Sequence, residues 1–231
     1  MRKKIFVVAL AACLLILSVA GSSMAYFTDT EQYTNVFTAG NVNITLTANG
    51  QDASTVADIL GDEDQNVYPG KTVDNEVVIS NVGTEDAYVG AVITLTSTTD
   101  KALGNILSET AGTNDKPAAL STLLNGLVSN GTDYDVEVVP TTNGEGIVTG
   151  YTIYIVKTAA LVGTRTATTG STTSATIFTD VVFPSSWDNA EMAHANGLQI
   201  SVKAYATQTA GMNNGAIDAL QKAFPGVFPN T

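Results

Sequence analysis

Alternation of apolar and polar side chains is the feature that most limits what this chain can fold into. In residues 42–47, VNITLT, apolar side chains occupy the even positions and polar side chains the odd ones. Residues 198–205, LQISVKAY, repeat this pattern as far as Ala204. Successive side chains of a β-strand point to opposite faces of a sheet, so the alternation predicts strands with one buried face. The chain is therefore predicted to be mainly all-β.

Turn signals divide the rest of the chain into further short strands. Pro69-Gly70, Asn143-Gly144 and Asn196-Gly197 are dipeptides typical of turns. Several short strands separated in this way predict a β-sandwich or jelly roll, whereas strands alternating with helices would predict a parallel sheet. The further predicted strands are 72–80, 88–96, 134–139, 147–157 and 176–183.

Three segments depart from the strand pattern. Residues 117–129 begin with a proline and carry leucines three and four positions apart, a spacing typical of a helix. Residues 101–109 are expected to add another helical turn. Asn214 is placed to cap a helix that runs to Phe224 and stops before a proline. We therefore expect one or two short inserted helices and a short C-terminal helix, all packed on the sandwich.

The N-terminus has the three parts of a secretion signal. Basic residues 2–4 precede the apolar run 5–20, and Ser23 and Ala25 place small residues at the −3 and −1 positions of a cleavage site. This arrangement predicts a Sec signal peptide cut after Ala25. Two alternatives stay open. An uncleaved anchor is one, although a spanning helix needs about 20 apolar residues and this run is shorter. A lipoprotein signal cut before Cys13 is the other.

Removal of the signal peptide, residues 1–25, changes both charge and thiol content. Of the 231 residues, the 206 that remain hold 22 acidic and seven basic residues, a formal charge of −15. This balance argues against nucleic acid or an anionic membrane as a partner. Cys13 is the only cysteine and leaves with the signal. A chain of this length can bury a large core, so we expect an extended N-terminal arm over 26–40 and one jelly-roll or sandwich domain over 41–231.

Residue types needed for catalysis are scarce. His194 is the only histidine, so a zinc site with two or three histidines cannot be built. Ser185, Ser186, Asp188 and Glu191 lie near it in sequence, but neither serine stands in a recognisable nucleophile turn. We therefore expect His194 to be a surface-loop residue, and we expect no catalytic residue, no metal site and no cofactor.

An acidic turn and two sequons are the remaining candidate sites. Asp62-Glu63-Asp64 offers the oxygen ligands that Ca²⁺ prefers, but the segment lacks the spacing of an EF-hand loop. We expect a solvated turn there, with Ca²⁺ binding as the open alternative. Asn43 and Asn130 each begin an Asn-x-Thr sequon, whose glycosylation depends on the source organism.

Several segments, in order, resemble the TasA/camelysin family of secreted biofilm-matrix proteins. Ala25 is followed by YFTDTE, residues 26–31, which is similar to the aromatic-rich start of the family's mature chains. The signal peptide resembles the family's SipW-dependent type. The other similar segments are NVFTAGNV at 35–42, YPGK at 68–71 with VVISNVG at 77–83, and the strand 198–208, which ends in ATQ.

The resemblance implies a jelly-roll subunit that polymerises head to tail into extracellular fibres. The resemblance further implies that the N-terminal arm of one subunit completes a sheet of its neighbour. It places the fibres in the extracellular matrix or at the cell surface, with other matrix fibres or anchor proteins as further partners. A strand added to a sheet edge pairs its unpaired backbone groups while side chains fill pockets. The arm residues expected to take part are Tyr26, Phe27, Asp29, Tyr33, Val36 and Phe37, with Asp29 keeping the free arm soluble.

Three alternatives to the fibre hypothesis stay open. The arm could instead be a strand that folds back on its own domain. A second alternative is a monomeric surface adhesin or immunoglobulin-like binding module, with the Thr-rich segment 164–176 as a contact surface. A third is a secreted protease like camelysin, although the chain offers no motif for that activity.

Overall fold

Two antiparallel five-stranded sheets pack face to face and enclose the main core. The computed structural model describes residues 28–31, 42–52, 67–97, 102–112, 116–212 and 214–229. The first sheet has the strand order β1-β12-β5-β10-β9, and the second has the order β3-β2-β4-β11-β8. A short parallel pair, β6-β7, stands apart from both sheets. The all-β sandwich predicted from side-chain alternation is confirmed.

Twelve strands account for nearly half of the described residues. They are β1 Thr28–Glu31, β2 Ile44–Ala48, β3 Gln51–Asp52, β4 Thr72–Asn81, β5 Ala87–Ser97, β6 Leu107–Ser108, β7 Ala118–Ala119, β8 Leu124–Asn125, β9 Tyr134–Thr142, β10 Val148–Lys157, β11 Ser174–Val182 and β12 Leu198–Gln208. The predicted strands 72–80 and 88–96 lie within β4 and β5, and 147–157 matches β10 to one residue. The alternating pattern thus located the central strands.

Burial follows the alternation closely in β5, the middle strand of the first sheet. Val89, Ala91, Ile93 and Leu95 are at most 1% exposed and face the core between the sheets. The opposite face of β5 also meets protein, because Gly90 lies beneath the C-terminal segment. A Cβ added to Gly90 would lie 2.8 Å from Phe228 Cζ. This strand is therefore packed on both faces.

The helix predicted over 117–129 is wrong. In its place are strand β7, one helical turn α1 Leu120–Leu123, and strand β8, which pairs with β11. Leu120, Leu123 and Leu124 are nevertheless fully buried in the core. One helical turn followed by a strand brings these leucines inward as well as a long helix would, and pairing with β11 satisfies the backbone of β8. Tertiary packing therefore overrides the helical spacing.

Two helices cover the sandwich. Helix α2 spans Asn189–Ala195, and helix α3 spans Ala216–Ala223. The predicted C-terminal helix is confirmed, but its N-cap is Gly215 rather than Asn214. Helix α3 and the residues after it form a second apolar cluster on the outer face of the first sheet. The cluster contains Val156, Tyr205, Ala216, Leu220 and Phe228.

Candidate functional site

Strand β1 is the only described part of the predicted N-terminal arm, and it pairs with β12. The pairing is antiparallel, with Thr28 opposite Thr207 and Glu31 opposite Ala204. On its other side β12 pairs with β5 along eleven residue pairs. Without β1, therefore, β12 would be the edge of the first sheet, with a row of unpaired backbone groups. We refer to residues 204–207 of β12 as the acceptor edge.

The acceptor edge is uncharged and buried on both faces. Ala204 and Ala206 are fully buried on the core side and belong to the main core cluster. Tyr205 alternates with them and lies on the outer face, 8% exposed, within the cluster under helix α3. This part of β12 therefore carries neither a charge nor a proline that would oppose the addition of a strand.

Aromatic rings hold Tyr205 in place. Its ring lies 5.0 Å from the ring of Phe224 and 5.5 Å from the ring of Phe228, both in edge-to-face arrangements. Edge-to-face aromatic pairs stabilise a fold beyond simple area burial. Burial and, to a lesser degree, Tyr154 raise the pKa of the Tyr205 hydroxyl, so Tyr205 stays neutral. The C-terminal segment thus supports the acceptor edge from outside.

Thr207 carries a polar atom that is not satisfied by the described part of the chain. The residue is 0% exposed, and its Oγ1 has no hydrogen-bond partner there. Buried hydroxyl groups are ordinarily hydrogen-bonded, because leaving one unpaired costs roughly 1–3 kcal/mol. Thr207 is the register partner of Thr28. The unpaired hydroxyl therefore lies at the seam between the arm and its acceptor.

Most of the predicted arm residues lie outside the described part of the chain. Of that set only Asp29 is described, in β1 opposite Ala206. In this single chain β1 completes its own sheet, as the fold-back alternative expects. The predicted residues outside the described part of the chain are Tyr26, Phe27, Tyr33, Val36 and Phe37 in the arm, Ser23 and Ala25 at the cleavage site, and the acidic turn Asp62-Glu63-Asp64.

His194 lies in helix α2, so its placement in a surface loop was wrong. It is half-buried, and its Nδ1 has no hydrogen-bond partner among the described residues. Asp188 and Glu191, which sequence analysis considered beside it, instead form a capping box. The Ala190 N–H donates to Asp188 Oδ1 at 2.7 Å, and the Asp188 N–H donates to Glu191 Oε2 at 2.8 Å. A carboxylate three residues after an Asp was the signal for this helix.

Lys116 completes the polar cluster at the start of α2. Its Nζ lies 3.0 Å from Glu191 Oε2 and 3.3 Å from Asp188 Oδ2. The Ala190 N–H, then Glu191 and Lys116, lower the pKa of the Asp188 carboxyl to about 2. These carboxylates thus stabilise a helix.

Within the described residues, no group of three or more His, Cys, Asp or Glu side chains is arranged to hold a metal ion.

The Thr-rich segment begins with an anchored turn. Gly163 donates its N–H to Asp86 Oδ1 at 2.9 Å, and the Thr166 hydroxyl donates to the same atom at 2.7 Å. These two hydrogen bonds, the backbone one first, lower the pKa of Asp86. An added Cβ at Gly163 would lie 2.4 Å from the Thr84 carbonyl oxygen. The start of this segment is therefore fastened to the turn between β4 and β5.

Comparison with known proteins gives one match. Residues 1–113 match the model of the camelysin metallo-endopeptidase family. This match confirms the resemblance to the TasA/camelysin family. The camelysin-like region includes strands β1–β6, whereas the acceptor strand β12 and helix α3 lie beyond it. No curated protein and no solved structure matches the chain. The camelysin match supports a secreted protein.

Within the described ranges, no helix is both long enough and apolar enough to cross a bilayer.

Proposed function

We propose that this protein is a secreted structural subunit that polymerises into extracellular fibres by exchange of its N-terminal strand. In the fibre, β1 of one subunit occupies the acceptor edge of the next subunit in the register that β1 adopts on its own β12. The observation that carries the proposal is the pairing of a four-residue strand with an uncharged edge. Exchange of an identical element between subunits conserves these contacts and needs no new interface.

The chain between β1 and β2 is long enough for this exchange. Twelve residues, 32–43, separate Glu31 from Ile44. An extended chain of this length spans at most about 40 Å. β1 can therefore leave its own domain and reach a neighbour while β2 stays in the sandwich. Four backbone pairs form a short contact, so each subunit can release its own β1 and accept another.

The net negative charge of the subunits limits which contacts can hold them together. With a formal charge of −15, secreted subunits repel one another. Strand pairing and apolar burial must then dominate the contact, and salt or divalent cations should strengthen assembly by screening the repulsion. A contact in which one subunit gives a strand and the next accepts it is heterologous, so it continues into an open filament.

We propose that the protein has no peptidase activity, although its N-terminal region matches a metallo-endopeptidase family. The support comes from residue types and their roles. The chain has one histidine, and the nearby Asp188 and Glu191 are engaged in capping α2 and binding Lys116. A secreted monomeric binding module is the second candidate, because β1 closing its own sheet would leave a self-sufficient domain.

Disulfide trapping tests strand exchange directly. The chain beginning at Tyr26 has no cysteine of its own, so T28C/T207C creates a single possible pair at opposed positions. Oxidised fibres should give a ladder of covalent multimers on a non-reducing gel. The matched control T96C/Q199C joins opposed, exposed residues of β5 and β12 and should give only monomers. Fibres in which T28C/T207C links only within one chain would overturn strand exchange.

Truncation tests whether the arm is needed. Electron microscopy and size-exclusion chromatography should show fibres from the chain that begins at Tyr26 and folded monomers from the chain that begins at Asn41. If both chains remain monomers over a range of salt and Ca²⁺ concentrations, the binding-module alternative is correct.

A further inference from the structure

The direction of β1 on β12 determines which ends of the sandwich meet. At one end lie the β4–β5 turn with Val82, the start of β2 and the end of β12. We call it the Val82 end. At the other end lie the start of β12 at Leu198, the β9–β10 turn with Ile147, and Tyr68 before β4. We call it the Leu198 end. Every long strand runs between these two ends.

β1 runs from the Val82 end towards the Leu198 end. Thr28 lies opposite Thr207, near the end of β12, whereas Glu31 lies opposite Ala204, further into the strand. A donated β1 therefore leaves its acceptor in the direction of the acceptor's Leu198 end. The six residues of β12 from Ala204 back to Leu198 cover about 20 Å. About half of the 40 Å reach of residues 32–43 is used in passing them.

The donor subunit must then begin its own sandwich just beyond that point. Its β2 starts at Ile44, which pairs with Asn81 at the donor's Val82 end. We propose that the Val82 end of each subunit packs against the Leu198 end of the subunit that receives its arm. This inference rests on the proposed strand exchange. It adds a second, end-to-end contact surface, and its partner is another copy of the chain.

Exposed apolar side chains support this pairing of ends. Among the described residues, four large hydrophobic side chains are exposed: Tyr68 at 60%, Val82 at 46%, Ile147 at 40% and Val139 at 38%. Val82 is at one end, and Tyr68 and Ile147 are at the other, whereas Val139 is in the side strand β9. Single exposed apolar side chains are common on protein surfaces, but three of these four lie at the two ends that the direction of β1 brings together. Both ends thus offer apolar contacts to each other.

Ion pairs at the two ends reduce repulsion along the fibre. At the Val82 end Arg165 binds Glu85. At the Leu198 end Lys116 binds both Asp188 and Glu191. These five charged side chains are thereby paired within their own subunit. For a subunit of formal charge −15, such pairing lessens the repulsion between two ends that meet.

Thiol crosslinking of preformed fibres tests which ends meet. In the chain beginning at Tyr26, V82C/I147C treated with a bismaleimide of about 10 Å span should give a multimer ladder, since such a reagent joins groups near each other without needing disulfide geometry. V82C alone and I147C alone are matched controls that should stay monomeric. A dimer in either single variant would mean that like ends meet, and the inference would be wrong.

The T28C/T207C crosslink distinguishes failure of this inference from failure of the proposed strand exchange. A ladder from T28C/T207C without a ladder from V82C/I147C would retain strand exchange and overturn the end-to-end contact. Loss of both ladders would overturn strand exchange and, with it, the contact between ends.

Charge substitution provides a second readout. V82D should raise the critical concentration for assembly by about tenfold, because a carboxylate placed in an apolar contact loses hydration worth at least 1.4 kcal/mol. V139D, on the side strand, is the matched control and should leave axial assembly unchanged. Both residues are exposed, so both variants should fold. Equal critical concentrations for V82D and the unsubstituted chain would contradict the end-to-end contact.

Discussion

The first sheet has two outer strands before β1 is added, and they differ in chemistry. β9 is nine residues long and carries Asp135, Glu137 and Pro140, so charge and a proline oppose the pairing of another strand. The acceptor edge of β12 has no such residue, and aromatic rings support it from outside. One side of the sheet therefore carries groups that oppose strand addition, while the other lacks them and pairs with β1.

Under the fibre hypothesis, this difference between the two outer strands limits fibre growth to one direction. If both edges accepted strands, subunits would associate sideways as well as end to end and would form sheets or aggregates. With one edge protected, each subunit of such a fibre would accept one arm at this sheet and donate one. The contrast between β9 and β12 can be tested by changing the residues on each side.

The largest effect is expected at the acceptor edge. Tyr205 packs between Phe224 and Phe228, so Y205A should lower the free energy of unfolding by about 3 kcal/mol, within the usual range for loss of a buried aromatic ring. V139A, in the exposed strand β9, should change it by less than about 0.5 kcal/mol. Urea unfolding of both variants measures the difference. Similar values would show that the C-terminal segment does not support β12.

The next largest loss of stability is expected where the C-terminal segment packs closely over the first sheet, at Gly90. At Gly90 an added Cβ would meet Phe228 Cζ at 2.8 Å and the Ile155 carbonyl oxygen at 3.0 Å, whereas at Gly144 nothing lies within 4 Å. G90A should therefore cost about 1–3 kcal/mol, as overpacking does. G144A, in the turn after β9, should be near neutral. Thermal unfolding compares the two, and an unchanged midpoint for G90A would show that α3 does not press on this strand.

Alternation in the sequence predicted the strands because each central strand buries one face against the core. Ile93 and Leu95 obey it in β5, and Ile44 and Leu46 obey it in β2. The order of strands in each sheet could not be derived, since it depends on pairings between distant residues. The helix over 117–129 failed for a related reason: its leucine spacing fits both a helix and a turn followed by a strand.

The candidate site was only partly visible in the sequence. β1, TDTE, is short and polar and shows no alternation, so its strand character comes from pairing with β12. The resemblance to a family drew attention to the arm, but nothing in residues 204–207 identified them as its acceptor. By contrast, Asp188 followed three residues later by Glu191 is a capping-box signal in the sequence itself, and it places His194 in a helix rather than in a loop.

Replacement of the charged residues and the proline of β9 should change fibre assembly more than it changes the free energy of unfolding. D135T/E137T/P140T replaces two charges and a proline with a residue that favours strands. We expect lateral aggregation or thickened fibres, seen by light scattering and electron microscopy. The free energy of unfolding should change by no more than about 1 kcal/mol, because Glu137 and Pro140 are exposed. Thin fibres like those of the unsubstituted chain would show that other features protect this side.

The smallest effect lies away from both edges, at the cap of α2. The pKa of Asp188 is lowered from 3.8 to about 2 in the folded chain. The ionised carboxylate therefore stabilises the fold above pH 3.8, and this contribution is lost as the pH falls towards 2. D188A should lower the thermal midpoint slightly at neutral pH and should no longer do so near pH 2. Because α2 precedes the start of β12 at Leu198, whereas β1 pairs with residues 204–207 near its other end, strand exchange at neutral pH should be unaffected by D188A. If D188A abolished the T28C/T207C ladder while the chain stayed folded, the acceptor edge would depend on more than the strand and the aromatic rings that support it.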